Sequence, residues 1–488
     1  QNRGDVRALL SAVGTAARRI SELIDKEGLE SVRSGMAGVL DYAEAQARDV
    51  FRTIPNGTYT FADYLEGDVV PGGRPIRIKL HLTARDGELR LDFSETDPQV
   101  RAALNIPTHG QDGHYLIVIG LVNFLRSVNP DVTYNSGLVR PVRMIAPRGT
   151  LLNPEPGAPC GARQATFFRV AEVIMGALAQ ASPDRIPAAG CGQGSILFLA
   201  VPDFATGKSR VTIVQPLVGG SGGRPAMDGT DGVDFNTGFY RNIPTEVLES
   251  DMPVIVGRYG LRPDSGGAGR FRGGMGLDYA LTVLPPEAVL TSRGMERYAF
   301  QPWGREGGRP GANGRTVLVE QADGSPSEIG KVDLLRMPPR ATLRIETAGG
   351  GGYGNPFERD PALVLADVRD GLVSLEHARQ EYGVAIVGEQ IDEAETRRLR
   401  ATKRQQGARF EFGAHRLAYD ERWPDALQTA INRVTAHLPA APRQYVRGRL
   451  IEAAAQRRAR GEHVDEQELG AVYRHVMDEL QAALLEAL

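Results

Sequence analysis

The residues best suited to chemistry lie in one glycine-rich run from Val218 to Arg241, VGGSGGRPAMDGTDGVDFNTGFYR. It sets Asp228, Asp231 and Asp234 beside Arg224 and Arg241, while Gly222 and Gly223 let backbone approach a ligand closely. Carboxylates in such a setting can bind a metal or hold a guanidinium. Asx-type turn chemistry explains the same spacing equally well. On the first reading Asp228 and Asp231 are candidate catalytic groups, and Arg224, Arg241, Gly222 and Gly223 are candidates for lining a substrate or phosphate pocket. A second loop, His109-Gly110-Gln111-Asp112-Gly113-His114, brings two imidazoles and a carboxylate together. His109 and His114 could transfer protons or help hold a divalent ion. No third ligand stands at diagnostic spacing, so a structural or exposed pair is the preferred alternative.

Three motif matches fail on context. Gly219-Gly220-Ser221-Gly222-Gly223 satisfies G-x-S-x-G after a strand, but a nucleophile elbow needs a helix directly behind the serine. Here Pro225 and further glycines follow, so Ser221 is not expected to be a nucleophile. Thr206-Gly207-Lys208-Ser209 ends like a phosphate loop, yet a strand follows it instead of a helix N-terminus. AGGGGYG at 348–354 contains G-x-G-x-x-G, but Asn355-Pro356 stands where a dinucleotide-binding helix would run. ATP is therefore not expected to bind this chain alone.

The elements that must position these residues suggest an α+β chain. Residues 5–28 carry Val6, Leu9, Leu10, Val13, Ile20, Leu23 and Ile24 at helical spacing up to Gly28, an amphipathic helix whose apolar face wants a partner. A second helix runs to about Arg52, and IRIKLHLTARDGELRLD alternates around Asp86-Gly87 as a hairpin. Residues 114–127 and 165–181 read as helices, and 195–218 as a strand pair. From about 210 to 350 short strands alternate with glycine turns; the chain's 58 glycines in 488 residues exceed the usual share of roughly 7%. After Pro356 helices dominate, and the last opens with Asp465 and Glu468 as a capping box. The expected divisions are a helical segment 1–52, an α+β core 53–356, a helical end 357–404 and a helical extension 405–488.

Charge and composition exclude some partners. The net charge of −3 argues against nucleic acid, and the basic cluster at Arg443, Arg447, Arg449, Arg457, Arg458 and Arg460 reads as a solvated helix face because acidic residues follow at once. No apolar run is long enough to span a bilayer. Cys160 and Cys191 form no CxxC, so neither a zinc site nor a disulfide framework is suggested, and a reducing cytoplasm is the expected setting. The first residue is Gln1, so the chain is expected to begin inside a longer polypeptide.

Five strings in order, VRPVRMIAPRGTLLNPEP (139–156), RNIPTEVLE (241–249), PDSGGAGRFRGGMG (263–276), PWGREGGRPGANG (302–314) and LRIETAGGGGYGNP (343–356), resemble the hydantoinase B/oxoprolinase family. The resemblance implies a B-type subunit in a hetero-oligomer. Its hydantoinase A-type, actin-like partner would use ATP to phosphorylate a carbonyl or lactam oxygen, and the B-type subunit would complete the reaction. In hydantoinases and oxoprolinases water opens a cyclic amide; in the related acetone and acetophenone carboxylases a carbon nucleophile meets carbon dioxide. Hydrolysis is the first expectation, ketone carboxylation the second, and a non-catalytic assembly role the third. The family's divalent metal is implied in an N-terminal Asp/His-rich segment that nothing here matches. Many members also carry histidines where this chain has Asp234 and Asn236, so no imidazole role transfers to those positions. The extension after about Arg404 is more at home in carboxylase-type assemblies.

Overall fold

Strict alternation through Ile76–Arg85 and Glu88–Asp92 makes the first hairpin, and the turn between them fits its residues. Asp86 (φ 51°) and Gly87 (φ 84°) are both left-handed, as a two-residue turn requires. The computed structural model describes residues 2–67, 74–203, 206–234, 237–238, 240–320, 324–401, 407–462 and 464–486. Helices α1 (Asn2–Glu27) and α2 (Leu29–Phe51) break at Gly28 (φ 80°). A four-stranded sheet follows: β1 (Gly57–Leu65), β2 (Ile76–Arg85), β3 (Glu88–Asp92) and, parallel to β3, β4 (Val142–Ile145). Helices α3 (Tyr115–Val128) and α4 (Gln164–Ala181) complete this N-terminal lobe. Close approach sets its spacing, since a Cβ on Gly176 of α4 would meet the Phe61 ring at 2.4 Å.

The second lobe is built from two antiparallel sheets. One runs β13 (Leu334–Arg336), β9 (Val289–Arg293), β5 (Ser195–Asp203), β6 (Lys208–Leu217); the other runs β12 (Pro326–Glu328), β11 (Arg315–Val319), β14 (Thr342–Glu346), β8 (Leu277–Val283), β7 (Val254–Leu261). Both contribute inward residues, such as Leu199, Leu290, Leu281 and Leu343, to one apolar core. A short helix, α5 (Thr245–Asp251), covers its end. Two-residue strand β10 (Gly304–Arg305) lies outside both sheets and pairs with Phe410–Glu411.

Between the lobes the glycine clusters converge. Segments around 188–194, 219–232, 265–276, 302–311 and 348–354 lie side by side and exchange backbone hydrogen bonds with several neighbours: Gly220 N–H donates to Ala348 O, Gly223 to Gly351 O, Gly274 to Ser221 O, Gly350 to Gly274 O and Gly351 to Ala189 O. Chains this close leave no room for side chains. A Cβ on Gly222 would stand 1.9 Å from Ala188 O, and one on Gly273 1.9 Å from Gly350 O.

Helices α6 (Pro361–Arg369), α7 (Leu375–Glu381) and α8 (Glu393–Ala401) close over this bundle through Val364, Ala378 and Tyr382 against Ala268 and Met275. The C-terminal helices α9 (Ala414–Arg422), α10 (Asp425–Thr435), α11 (Ala440–Ala459) and α12 (Glu466–Glu486) have their own apolar core. The capping box forms as expected, with Glu468 N–H donating to Asp465 Oδ1 at 2.8 Å and Asp465 N–H to Glu468 Oε2 at 3.1 Å. The boundary expected between 404 and 405 lies outside the described residues.

One expectation changes. The basic cluster is not all a solvated face, because Arg443 is buried and donates to Gly149 O in the N-terminal lobe and to Leu438 O and Ala436 O. Arg447 likewise turns inward to Asp97 at 2.7 Å. Buried carbonyls and a buried carboxylate need donors, and these two arginines supply them. The apolar face of α1 finds no cover among the described residues: Leu9, Leu10 and Val13 are each more than two-thirds exposed.

Candidate functional site

The carboxylates singled out by sequence form a charged ladder along the glycine bundle. Asp231 accepts from Arg272 Nη1 (2.7 Å) and from the Met275 N–H (2.7 Å). Arg272 Nε reaches Asp367 (3.0 Å), Arg359 Nη2 reaches the other Asp367 oxygen (2.8 Å), and Arg359 grips Asp228 with both nitrogens at 2.7 and 2.8 Å. Burial works against the Arg272 charge, but Asp231 and Asp367 outweigh it and raise its pKa. Arg272, Arg359 and Asp367 were missed by sequence reasoning because Arg359 stands 131 positions from Asp228.

Arg224 folds back onto its own turn, donating to Asp228 O (3.1 Å) and Thr230 Oγ1 (3.2 Å). Gly222 and Gly223 are buried inside the bundle, and Arg241 is exposed. Ser221 Oγ accepts the Thr230 N–H at 2.6 Å, a contact that closes the turn. Asp234 is buried, with one carboxylate oxygen accepting the Gly192 N–H at 3.1 Å; Asn236 lies outside the described residues.

The histidine loop belongs to the N-terminal lobe instead. His114 caps the start of α3, stacks on Tyr115 and has a buried Nδ1 without a partner among the described residues. Burial, then His109 and Arg163, depress its pKa, so the ring is neutral at pH 7. His109 is exposed with φ 54°. Asp112 points its carboxylate at the Met144 N–H (2.7 Å). These residues do not assemble into an ion site, and no group of three or more His, Cys, Asp or Glu able to share a metal occurs among the described residues.

Tertiary structure adds a cleft between the lobes, about 270 Å³, bordered by Arg101–Leu104, Pro159 and the first turn of α4 on one side and by Ser292–Glu296 and Lys331–Asp333 on the other. Lys331 Nζ donates to Glu296 Oε1 at 2.8 Å, and Glu296 Oε2 accepts the Glu66 N–H at 3.1 Å. Burial raises the Glu296 pKa against the pull of Lys331, and Glu296 in turn raises Lys331 against its own burial. Ser292 Oγ is buried without a partner among the described residues. Arg101 borders the cleft with a helix N-terminus, and Arg293 pairs with Asp333 (2.5 Å) as Lys331 does with Glu296.

Behind it lies a sealed ionic cluster. Arg169 reaches Asp63 (3.1 Å) and Glu172 (2.6 Å), Arg297 pairs with the same two carboxylates, and Arg416 of α9 reaches Asp63 (3.1 Å). Burial pushes Glu172 well up, with Arg169 opposing. One signal was legible: Arg169 and Glu172 interrupt an apolar helix at i, i+3, where charged residues stay buried only if paired.

A family model for hydantoinase B/oxoprolinase matches residues 1–356, and the chain belongs to that family. The B-type subunit of a putative D-/L-hydantoinase from Pseudomonas sp. (strain NS671) is 33% identical over 409 residues, 81% of this chain and 67% of that protein. The beta chain of the caprolactamase from Pseudomonas jessenii is 34% identical over 415 residues, covering 82% of this chain and 69% of that protein. The crystal structure of the ATP-dependent caprolactamase from that organism superposes with a TM-score of 0.72 at 30% identity, over 82% of this chain and 69% of that one. A nucleotide-free acetone carboxylase structure gives a TM-score of 0.68 at 16% identity, over 95% of this chain and 64% of that one. That second likeness is one of fold, and at such coverage it takes in most of residues 405–488. No helix among the described residues is long and apolar enough to cross a membrane.

Proposed function

We propose that this chain is the B-type subunit of a cytoplasmic, ATP-dependent hetero-oligomer that opens a cyclic amide after an A-type partner has phosphorylated it. The carrying observation is similarity over about four-fifths of the chain to the B-type subunit of a hydantoinase and to the beta chain of a caprolactamase. In this reading ATP binds the partner. Phosphoryl transfer to the amide oxygen turns a poor leaving group into a good one. Water then adds to the carbon and the C–N bond breaks, freeing the amine and leaving an acyl phosphate, which a second water cleaves to carboxylate and inorganic phosphate.

This chain's part is to bind and orient. Arg101, Arg293 and Lys331 hold the phosphoryl group in the interlobe cleft, and Ser292 offers it a hydroxyl. Asp228 and Asp231, already engaged by arginines, act as positioning residues for the segment carrying Gly222, Gly223 and Arg224, with Arg241 as an exposed docking cation. His114, neutral at pH 7, and His109 are the candidates for proton transfer.

A second reading, ketone carboxylation, is favoured by the extent of the fold likeness to acetone carboxylase, which reaches into the C-terminal helices. The two separate in one experiment. The chain is co-purified with its A-type partner, and ADP release is measured with hydantoin, 5-oxoproline or caprolactam, and with acetone or acetophenone plus bicarbonate. Release coupled to amide opening is the expected result; release only with ketone and bicarbonate overturns hydrolysis. Full activity of a complex stripped of this chain overturns both and leaves an assembly role.

A further inference from the structure

A cavity of about 410 Å³ opens between the C-terminal helices and the start of β2, lined by none of the residues of the interlobe cleft or the charged ladder. Its volume suits a small organic ligand. One wall is apolar, made by Pro75, Tyr419, Trp423, Ile431, Ile451 and Ala455. The opposite side carries Arg447, with Arg74, Arg422 and the carboxylate of Glu452 exposed beside it.

The cationic side is incompletely neutralised. Arg447 is held by Asp97 (2.7 Å) and Asn432 (3.0 Å) from behind. Among the described residues Arg74 has a distant contact with Glu452 (3.9 Å), and Glu452 is itself shared with Arg449 (3.7 Å). Burial, and then the neighbouring Arg447, lower the Arg74 pKa against the opposing pull of Glu452. Two arginines beside an apolar floor match a molecule with an anionic head and an apolar body.

We propose that this cavity binds a small organic carboxylate, its head taken by Arg74 and Arg447 and its body lying on Trp423, Ile431 and Ile451. The site is independent of the reading of function above, since it uses none of the same residues.

Calorimetric titration of the full chain with benzoate and with hexanoate tests it, with benzamide, hexanamide and inorganic phosphate as controls. Saturable binding to one site is expected, at least about ten-fold weaker for the neutral amides and for Arg74→Gln. Ala455→Trp, which fills the floor, abolishes binding while circular dichroism stays that of the parent. No saturable heat up to about 10 mM overturns the proposal. So does equal affinity for acid and amide, or binding untouched by Ala455→Trp. Phosphate binding as tightly as benzoate overturns the apolar half. Should Arg74→Gln fail to fold, Ala455→Trp and the amide controls still decide.

Discussion

Gly350 illustrates how residue identity is dictated here by contact instead of by backbone angle. A methyl group at that position would sit 2.0 Å from Ser221 O and 2.3 Å from its carbonyl carbon, both backbone atoms that cannot swing away. Gly350→Ala is expected to lower stability by about 3 kcal/mol or more, read from urea unfolding. Gly257→Ala, where nothing stands within 4 Å of the new Cβ, should stay within about 0.5 kcal/mol of the parent. Asp228 makes the same point for charge. Its partner Arg359 is buried, so Asp228→Asn should cost about 1–3 kcal/mol by leaving that guanidinium half-paired. Arg241→Ala, on the exposed surface, should cost little. A D228N protein of parental stability that loses turnover in the reconstituted complex would return this carboxylate to the chemistry.

At the scale of elements, the C-terminal helices are docked by charged contacts beside the ring of Tyr419, which packs on Tyr64 and Phe300. Asp425, at the start of α10, accepts from buried Arg77 and Lys79 of β2, each at 2.5 Å. Arg416 enters the ionic cluster at Asp63, and Arg443 binds Gly149 O. Removing Asp425 takes the carboxylate from fully buried Arg77, while Lys79 keeps Glu95. Asp425→Ala is therefore expected to loosen α10 by about 3 kcal/mol, seen as faster hydrogen exchange in α10 with β5 and β8 unchanged. Equal acceleration in all three would mean that the module and the lobes unfold as one.

For the molecule as a whole, separate apolar cores in the N-terminal lobe, the sheet sandwich and the C-terminal helices predict unfolding in steps. Acid should release the last of these first. Glu95 sits in the seam with Lys79 and His81, with Thr429 of α10 donating to it. Burial raises its pKa, but Lys79 and His81 outweigh burial and bring it down to about 2 from an ordinary 4.5. A depressed carboxylate contributes fully above 4.5 and progressively less as pH falls through 2. Undocking of α10 is thus expected between pH about 4.5 and about 2, ahead of the sheets, by hydrogen exchange across an acid titration. Loss of protection in α10 and β2 at one common pH would contradict it.

The sequence by itself determined the local elements, because their causes lie within a few residues. The helix break at Gly28, the Asp86-Gly87 turn, the helices near 114–127 and 165–181 and the Asp465 cap all arise from spacing or from a single left-handed or capping residue. It also carried the family, through motifs spread from 139 to 356. Only the tertiary structure decided where the charges go and why the glycines are there. Asp228 meets Arg359, and glycines from separate clusters interlock, through contacts that join residues far apart in the chain, and no local pattern encodes such pairings. The interlobe cleft was invisible for the same reason: Arg101 and Lys331 come from different lobes, and only chain packing sets them around one space.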